Sequence, residues 1–192
     1  SPFAKLLKER IEKSLGNVMI NYRINAGYIP LDHWVHTEEG GGRNIGEACH
    51  FYDLFTYLFD SKIEKIQATA LKSTTNYYSS TDNFIVNLGF ENGSASQLIY
   101  TAMGNKNISK ELLECYCENS IIQIDDYKKY SEFSKKERHK TLSIADKGHN
   151  AEIKKFIDCI KQGGEWPIPF WQQVQATEIS FEVERQILTN DN

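Results

Sequence analysis

At about residue 63 the apolar residues of this chain change their spacing from helical to alternating, and that change constrains the fold more than anything else. Runs of strand length and period two fall at 63–71, 82–90, 94–102, 110–118, 120–125 and 139–144. Glu91-Asn92-Gly93 separates two of them, and Asn-Gly suits the positive-φ turn of a tight hairpin. Asn119 is the expected turn between 110–118 and 120–125. Links this short predict antiparallel neighbours, and hence an antiparallel meander.

Helical patterns flank that region. Residues 3–15 place Phe3, Leu6, Leu7, Ile11 and Leu15 near one face, and Gly16-Asn17 stops the run. A strand is predicted over 17–25, with Val18, Ile20, Tyr22 and Ile24 on one face and Met19, Asn21, Arg23 and Asn25 on the other. A long loop at 26–42 follows; loops of that length in a compact domain are usually functional or disordered, and its aromatic and histidine content argues for function. The second helix, 43–59, is apolar on most sides in its later turns. A helix at 149–162 is expected to turn Ile153, Phe156, Ile157 and Ile160 inward before Gly163-Gly164. The last, about 170–188, is opened by Pro167 and Pro169, and the aromatic run Trp166–Trp171 reads as a plug anchoring it, or else as a sugar-binding surface.

The element order predicts an α+β fold, an open, mainly antiparallel β-sheet with helices packed on one face. Both faces of 94–102 are partly apolar, so the second sheet face either meets another subunit or is a solvated surface with scattered apolar residues. With 192 residues, no internal repeat and no linker, the chain is expected to form one domain over 1–192.

Composition removes several classes of function. The net charge is −4 and the lysine pairs are offset by nearby acids, so no nucleic-acid-binding face is predicted. No apolar run approaches a membrane span, and residues 1–5 do not read as a signal peptide. A location in the cytoplasm is expected, in keeping with reduced thiols. Cys115 and Cys117 fall on one strand face, as a disulfide, a ligand pair or, preferred here, two buried thiols.

The stretch that suggests chemistry is Gly40-Gly41-Gly42 followed by a helix carrying Asn44, Glu47 and His50. Three-residue spacing is expected to set the Glu47 carboxylate beside the His50 imidazole, with Asp53 one turn on. A carboxylate there can orient the ring and favour its charged form; a satisfied core histidine is the other reading, and the residues alone leave both open. The glycines either approach a bound anion or allow tight packing at the helix start. No GxGxxG or GxxxxGK[ST] occurs, so no nucleotide fold is predicted within the chain. His33, His36, Glu47 and His50 are acceptable metal ligands, but two lie on a loop and no HExxH is present, so no metal site is assigned.

Taken together, Gly40-Gly41-Gly42 with His50-Phe51-Tyr52-Asp53-Leu54, the segment Asn25–Pro30 with His33-Trp34, and Gly148–Ile153 with Phe156–Ile160 resemble the C-terminal domain of the Gfo/Idh/MocA oxidoreductases over nearly the whole chain. The resemblance implies a domain for substrate binding and oligomerisation, whose partner nucleotide-binding domain lies N-terminal to it and outside this chain. It implies NAD or NADP in the full-length enzyme and no cofactor held by this chain alone. The substrate would be a small carbohydrate-like molecule: a sugar, sugar nucleotide or cyclitol. By the same resemblance His50 is the acid/base on the substrate hydroxyl, oriented by Glu47. His33 is a substrate-side histidine, and Arg23, Asn25, Tyr28, Trp34, Arg43 and Asn44 are substrate contacts by position. A homo-oligomer through the open sheet face is expected. The family's common pattern has Asp four residues before the histidine, where this chain has Gly46. A non-catalytic sugar-binding or assembly module is the alternative, and a metal-dependent hydrolase or isomerase the weaker one.

Overall fold

The computed structural model describes residues 1–164 and 166–189. Its strands are β1 (Met19–Asn25), β2 (Ile63–Ala70), β3 (Asn83–Phe90), β4 (Ala95–Thr101), β5 (Glu111–Cys117), β6 (Ser120–Asp125), β7 (Lys129–Phe133) and β8 (Arg138–Thr141). They form one sheet in the order β2-β3-β4-β1-β5-β6-β7-β8. The helices are α1 (Pro2–Glu12), α2 (Cys49–Phe59), α3 (His149–Gln162) and α4 (Phe170–Thr189).

Alternation decides which face of each strand is buried. Ile20, Tyr22 and Ile24 of β1, Val86 and Leu88 of β3, and Leu98 and Tyr100 of β4 point to one side. There they meet Phe3 and Leu7 of α1, Tyr52, Phe55 and Leu58 of α2, and Ile179, Val183 and Ile187 of α4 in one core. The opposite face carries exposed Met19, Ile85, Ile121 and Phe133 among polar pairs such as Gln97 with Asn87 and Gln123 with Glu114. This is the expected α+β fold, an open and mostly antiparallel sheet with helices on one face. The free thiols Cys115 and Cys117 lie buried on the core side of β5. No helix among the described residues is long and apolar enough to cross a membrane.

Five details correct the sequence reading. The strands do not form an uninterrupted meander, because β1 lies between β4, to which it is parallel, and β5, to which it is antiparallel. A strand with a fully buried core face gains from neighbours on both edges, and the 102–110 connection is long enough to step over it. β7 has no counterpart in the alternation pattern. It follows a turn in which Asp126 and Tyr127 take positive φ of 48° and 53° without any glycine, so the usual hairpin signal is missing. Helix α1 stops at Glu12 and leaves Leu15 99% exposed. Finally, Ile153, Phe156, Ile157 and Ile160 do not face inward, and no residue of α3 is buried. The core face of the sheet is already filled by α1, α2 and α4. Trp166 and Phe170 are likewise exposed rather than an apolar plug, while Trp171 takes the Lys62 ammonium over its ring at 4.3 Å.

Candidate active site

The glycine run is built for close packing. A Cβ on Gly40 would lie 2.4 Å from the Trp34 carbonyl oxygen, and one on Gly46 2.7 Å from the Gly40 oxygen. The loop backbone therefore rests directly on the first turn of the helix, a contact only glycine permits. At Gly40 and Gly46 that space is filled by backbone and leaves no room for a bound phosphate, while Gly41 and Gly42 face the side chains of Ile45 and Thr81.

That first turn, Asn44–Ala48, is π-helical and continues into α2. The wider turn redirects its side chains. Asn44 is fully buried. Its amide donates to the Ser180 oxygen at 2.9 Å and to Glu184 Oε2 at 2.8 Å, and accepts from the Tyr52 hydroxyl at 2.8 Å. Asn44 thus ties α2 to α4 with its side chain fully buried.

Glu47 points to the sheet. Its carboxylate accepts from the Tyr100 hydroxyl at 2.5 Å and from Lys110 Nζ at 2.9 Å, and Arg43 Nε lies 3.9 Å away. Burial acts to raise the carboxyl's pKa, but the Tyr100 and Lys110 bonds outweigh it and hold Glu47 below the ordinary carboxylate value. Burial, and then Glu47 itself, push the Tyr100 phenol well up. Arg43 is buried, donates from Nη2 to the Gly27 oxygen at 3.0 Å, and lies 5.4 Å from the Tyr100 ring centroid. No hydrogen bond or ion pair joins Glu47 to His50, so the expected side-by-side pair does not form. The π-turn sends Glu47 to Tyr100 and Lys110 instead.

His50 is exposed near the start of α2. Its acidic neighbour is Asp53, one turn on. Burial raises the Asp53 carboxyl, His50 acts to lower it, and Glu152 of α3 adds to the rise. An accessible imidazole beside a partly buried carboxylate can exchange a proton with a hydroxyl brought to it.

The other predicted residues scatter. Arg23 lies on the open sheet face and donates from Nη1 to the Ser109 oxygen at 3.0 Å. Asn25 is buried and donates to the Asn105 oxygen at 2.8 Å. Tyr28 is exposed and stacks on Tyr77 at 4.3 Å. His33 and Trp34 are exposed on the loop, with His33 Nδ1 accepting from the Val35 amide at 3.3 Å. His36 is folded inward, its Nδ1 3.9 Å from Asp82 Oδ1. Among the described residues no three His, Cys, Asp or Glu side chains gather as a metal site would require, and the four proposed ligands do not converge. Tyr100 and Lys110 are the site residues that sequence reading missed. They lie 53 and 63 positions from Glu47 in the chain, on β4 and just before β5.

The sequence matches, over residues 8–180, the family described as "Oxidoreductase family, C-terminal alpha/beta domain" of the Gfo/Idh/MocA group. The chain belongs to the Gfo/Idh/MocA oxidoreductase family. No curated protein matches it. Among solved structures, a UDP-N-acetylglucosamine 3-dehydrogenase, GnnA, from Acidithiobacillus ferrooxidans superposes with a TM-score of 0.76 at 11% identity, covering 100% of this chain and 59% of that one. The WlbA dehydrogenase from Bordetella pertussis, in complex with NADH and UDP-GlcNAcA, gives 0.70 at 14% identity, covering 99% and 58%. An oxidoreductase from Thermotoga maritima gives 0.73 at 16% identity, covering 98% and 57%. This Gfo/Idh/MocA chain thus spans less than three-fifths of these relatives, and at such identities the likeness concerns the fold.

Proposed function

We propose that this chain is the substrate side of an NAD(P)-dependent oxidoreductase acting on a hydroxyl of a sugar, sugar nucleotide or cyclitol. The nucleotide-binding domain would lie outside these residues, and the open sheet face would meet a second copy of the chain. The observation that carries the reading is the accessible His50 beside Asp53 on the helix that follows the glycine run, within a Gfo/Idh/MocA domain.

Oxidising a C–H/C–OH centre to a carbonyl removes a hydride from carbon and a proton from oxygen. The proton is the part this chain handles. His50 accepts it from the hydroxyl and returns it in the reverse direction. The Asp53 carboxyl steadies the imidazolium. Glu47, fixed by Tyr100 and Lys110, sets the electrostatics of the same helix start.

The test is steady-state kinetics of the intact enzyme that carries this chain. His50→Ala should lower kcat by about 10²–10⁴-fold, the usual contribution of a general acid–base, with a much smaller change in substrate affinity. An unchanged kcat removes His50 from the chemistry.

A further inference from the structure

Cys115 and Cys117 stand two residues apart on the core side of β5, and the chemistry proposed for His50 does not use them. We propose that they form a peroxide-reactive thiol pair, in which Cys117 is oxidised first and Cys115 then closes a reversible disulfide with it.

Residues i and i+2 of a strand share a face, with Cα atoms about 6.6 Å apart, inside the span that a disulfide bridges. The two thiols are already in hydrogen-bonding contact. The Arg10 guanidinium, from the last turn of α1, is fixed beside Cys117 by the residues around that thiol. Its Nε bonds Glu132 Oε1 of β7 at 3.2 Å. Its Nη2 bonds Oγ of Ser120, the cross-strand partner of Cys117, at 3.4 Å. Its Nη1 lies 3.7 Å from Oε2 of Glu118, the next residue in the chain. Access separates the two sulfurs. Cys117 lines a cavity of about 430 Å³ at the tip of the β5–β6 hairpin, whereas Cys115 is fully buried.

The groups that face Cys117 are Cys115, Arg10, Glu118, Glu132 and Tyr130. The hydrogen bond from Cys115 lowers the Cys117 thiol most and burial opposes it. Arg10 lowers it further, Glu118 and Glu132 act the other way, and the thiol settles at about 7. Tyr130, pushed up to about 12 chiefly by burial, stays neutral. The hydrogen bond to Cys117 and burial push the Cys115 thiol well up. The negative charge therefore sits on the sulfur at the cavity and the proton on the sulfur behind it, the division of labour between an attacking and a resolving thiol.

The Cys117 thiolate attacks one oxygen of hydrogen peroxide. An S–O bond forms, the O–O bond breaks and hydroxide leaves, so that the sulfur is oxidised by two electrons and the peroxide reduced. Cys115 sulfur then attacks the sulfenic sulfur. An S–S bond forms, the S–O bond breaks, and the Cys115 proton leaves with that oxygen as water.

The experiment treats the reduced, intact protein with hydrogen peroxide, blocks remaining thiols with N-ethylmaleimide and reads the peptides by mass spectrometry. The peptide holding Cys115 and Cys117 should lose two hydrogens and both alkylation sites together, and dithiothreitol should restore them. Cys49 and Cys159, both more exposed than Cys117, should stay alkylatable under the same treatment. In Cys115→Ser, with no resolving thiol, a Cys117 sulfenic acid should be trapped by dimedone. In Cys117→Ser, Cys115 should not react. Alkylation of Cys117 by iodoacetamide should titrate with a midpoint near 7, which Arg10→Gln raises and Arg10→Lys largely preserves. Oxidation of Cys49 or Cys159 ahead of the pair, no loss of two hydrogens in wild type, or an Arg10→Gln midpoint equal to that of wild type overturns the proposal. The wild-type mass measurement decides the disulfide by itself, so a variant that fails to fold leaves the test intact.

Discussion

The Tyr100–Glu47 bond shows how one hydroxyl can tie the sheet to the start of α2. Tyr100 occupies a core position of β4 with its ring stacked on Phe84 at 5.0 Å, and its oxygen reaches Glu47 at 2.5 Å. Tyr100→Phe keeps the ring and removes the donor. At pH 7 it should cost about 1–2 kcal/mol of stability, toward the low end for a bond to a charged group because Glu47 is partly solvated. The sign with pH follows from the depressed Glu47 carboxyl. A carboxyl lower in the folded state stabilises the fold above its ordinary value, and that contribution disappears as pH falls through the folded value. Urea unfolding of both proteins from pH 7 downward should therefore show the gap closing in acid. A gap that stays constant would mean that Tyr100 acts by packing alone. At this scale the sequence was partly legible. Its pattern singled out His50, Glu47 and Asp53, because they share one short segment. Tyr100 and Lys110 left no local mark, because a partner more than fifty residues away is set by strand order.

At the scale of elements, α3 and α4 have comparable apolar content but opposite roles. Ile179, Val183 and Ile187 of α4 are fully buried against the sheet. On α3, Ile153 and Ile160 are 57% and 64% exposed. Ile179→Ala should therefore cost about 2–5 kcal/mol through lost burial and the cavity left behind. Ile153→Ser and Ile160→Ser should each stay within about 0.5 kcal/mol of wild type, as surface changes do. Chemical denaturation of the 192-residue chain measures both. A large loss from the α3 substitutions would place that stripe in the core after all. Amphipathic spacing predicted both helices, and it did so because the period reports that one face is apolar. It does not report what lies opposite that face. For α4 the opposite surface is the sheet; for α3 the sheet is already covered. The same limit explains β7 and the inserted β1, since pairing partners and glycine-free turns lie outside any local period.

For the molecule as a whole, the two sheet faces pose the remaining question. One is sealed by α1, α2 and α4, and the other presents Met19, Ile85, Ile121 and Phe133, each between 39% and 56% exposed, across strands from β3 to β7. These side chains are spread among polar pairs, the mixed composition of a surface that is both soluble and able to associate. A twofold contact would set this face against its own copy, so every residue would be used twice. The proposed homo-oligomer then predicts self-association of the protein at micromolar concentration, seen by sedimentation equilibrium. Ile85→Arg combined with Ile121→Arg places like charges on β3 and β6, on both sides of the sheet's centre. Four guanidinium groups brought together in the dimer should shift it to monomer. Because both side chains are already largely exposed, the double variant should keep the unfolding free energy of the wild-type monomer within about 1 kcal/mol. Wild type that sediments as a monomer throughout that range would leave this face as an ordinary solvated surface. Dissociation accompanied by a large loss of monomer stability would instead show that the substitutions had damaged the sheet rather than its contact.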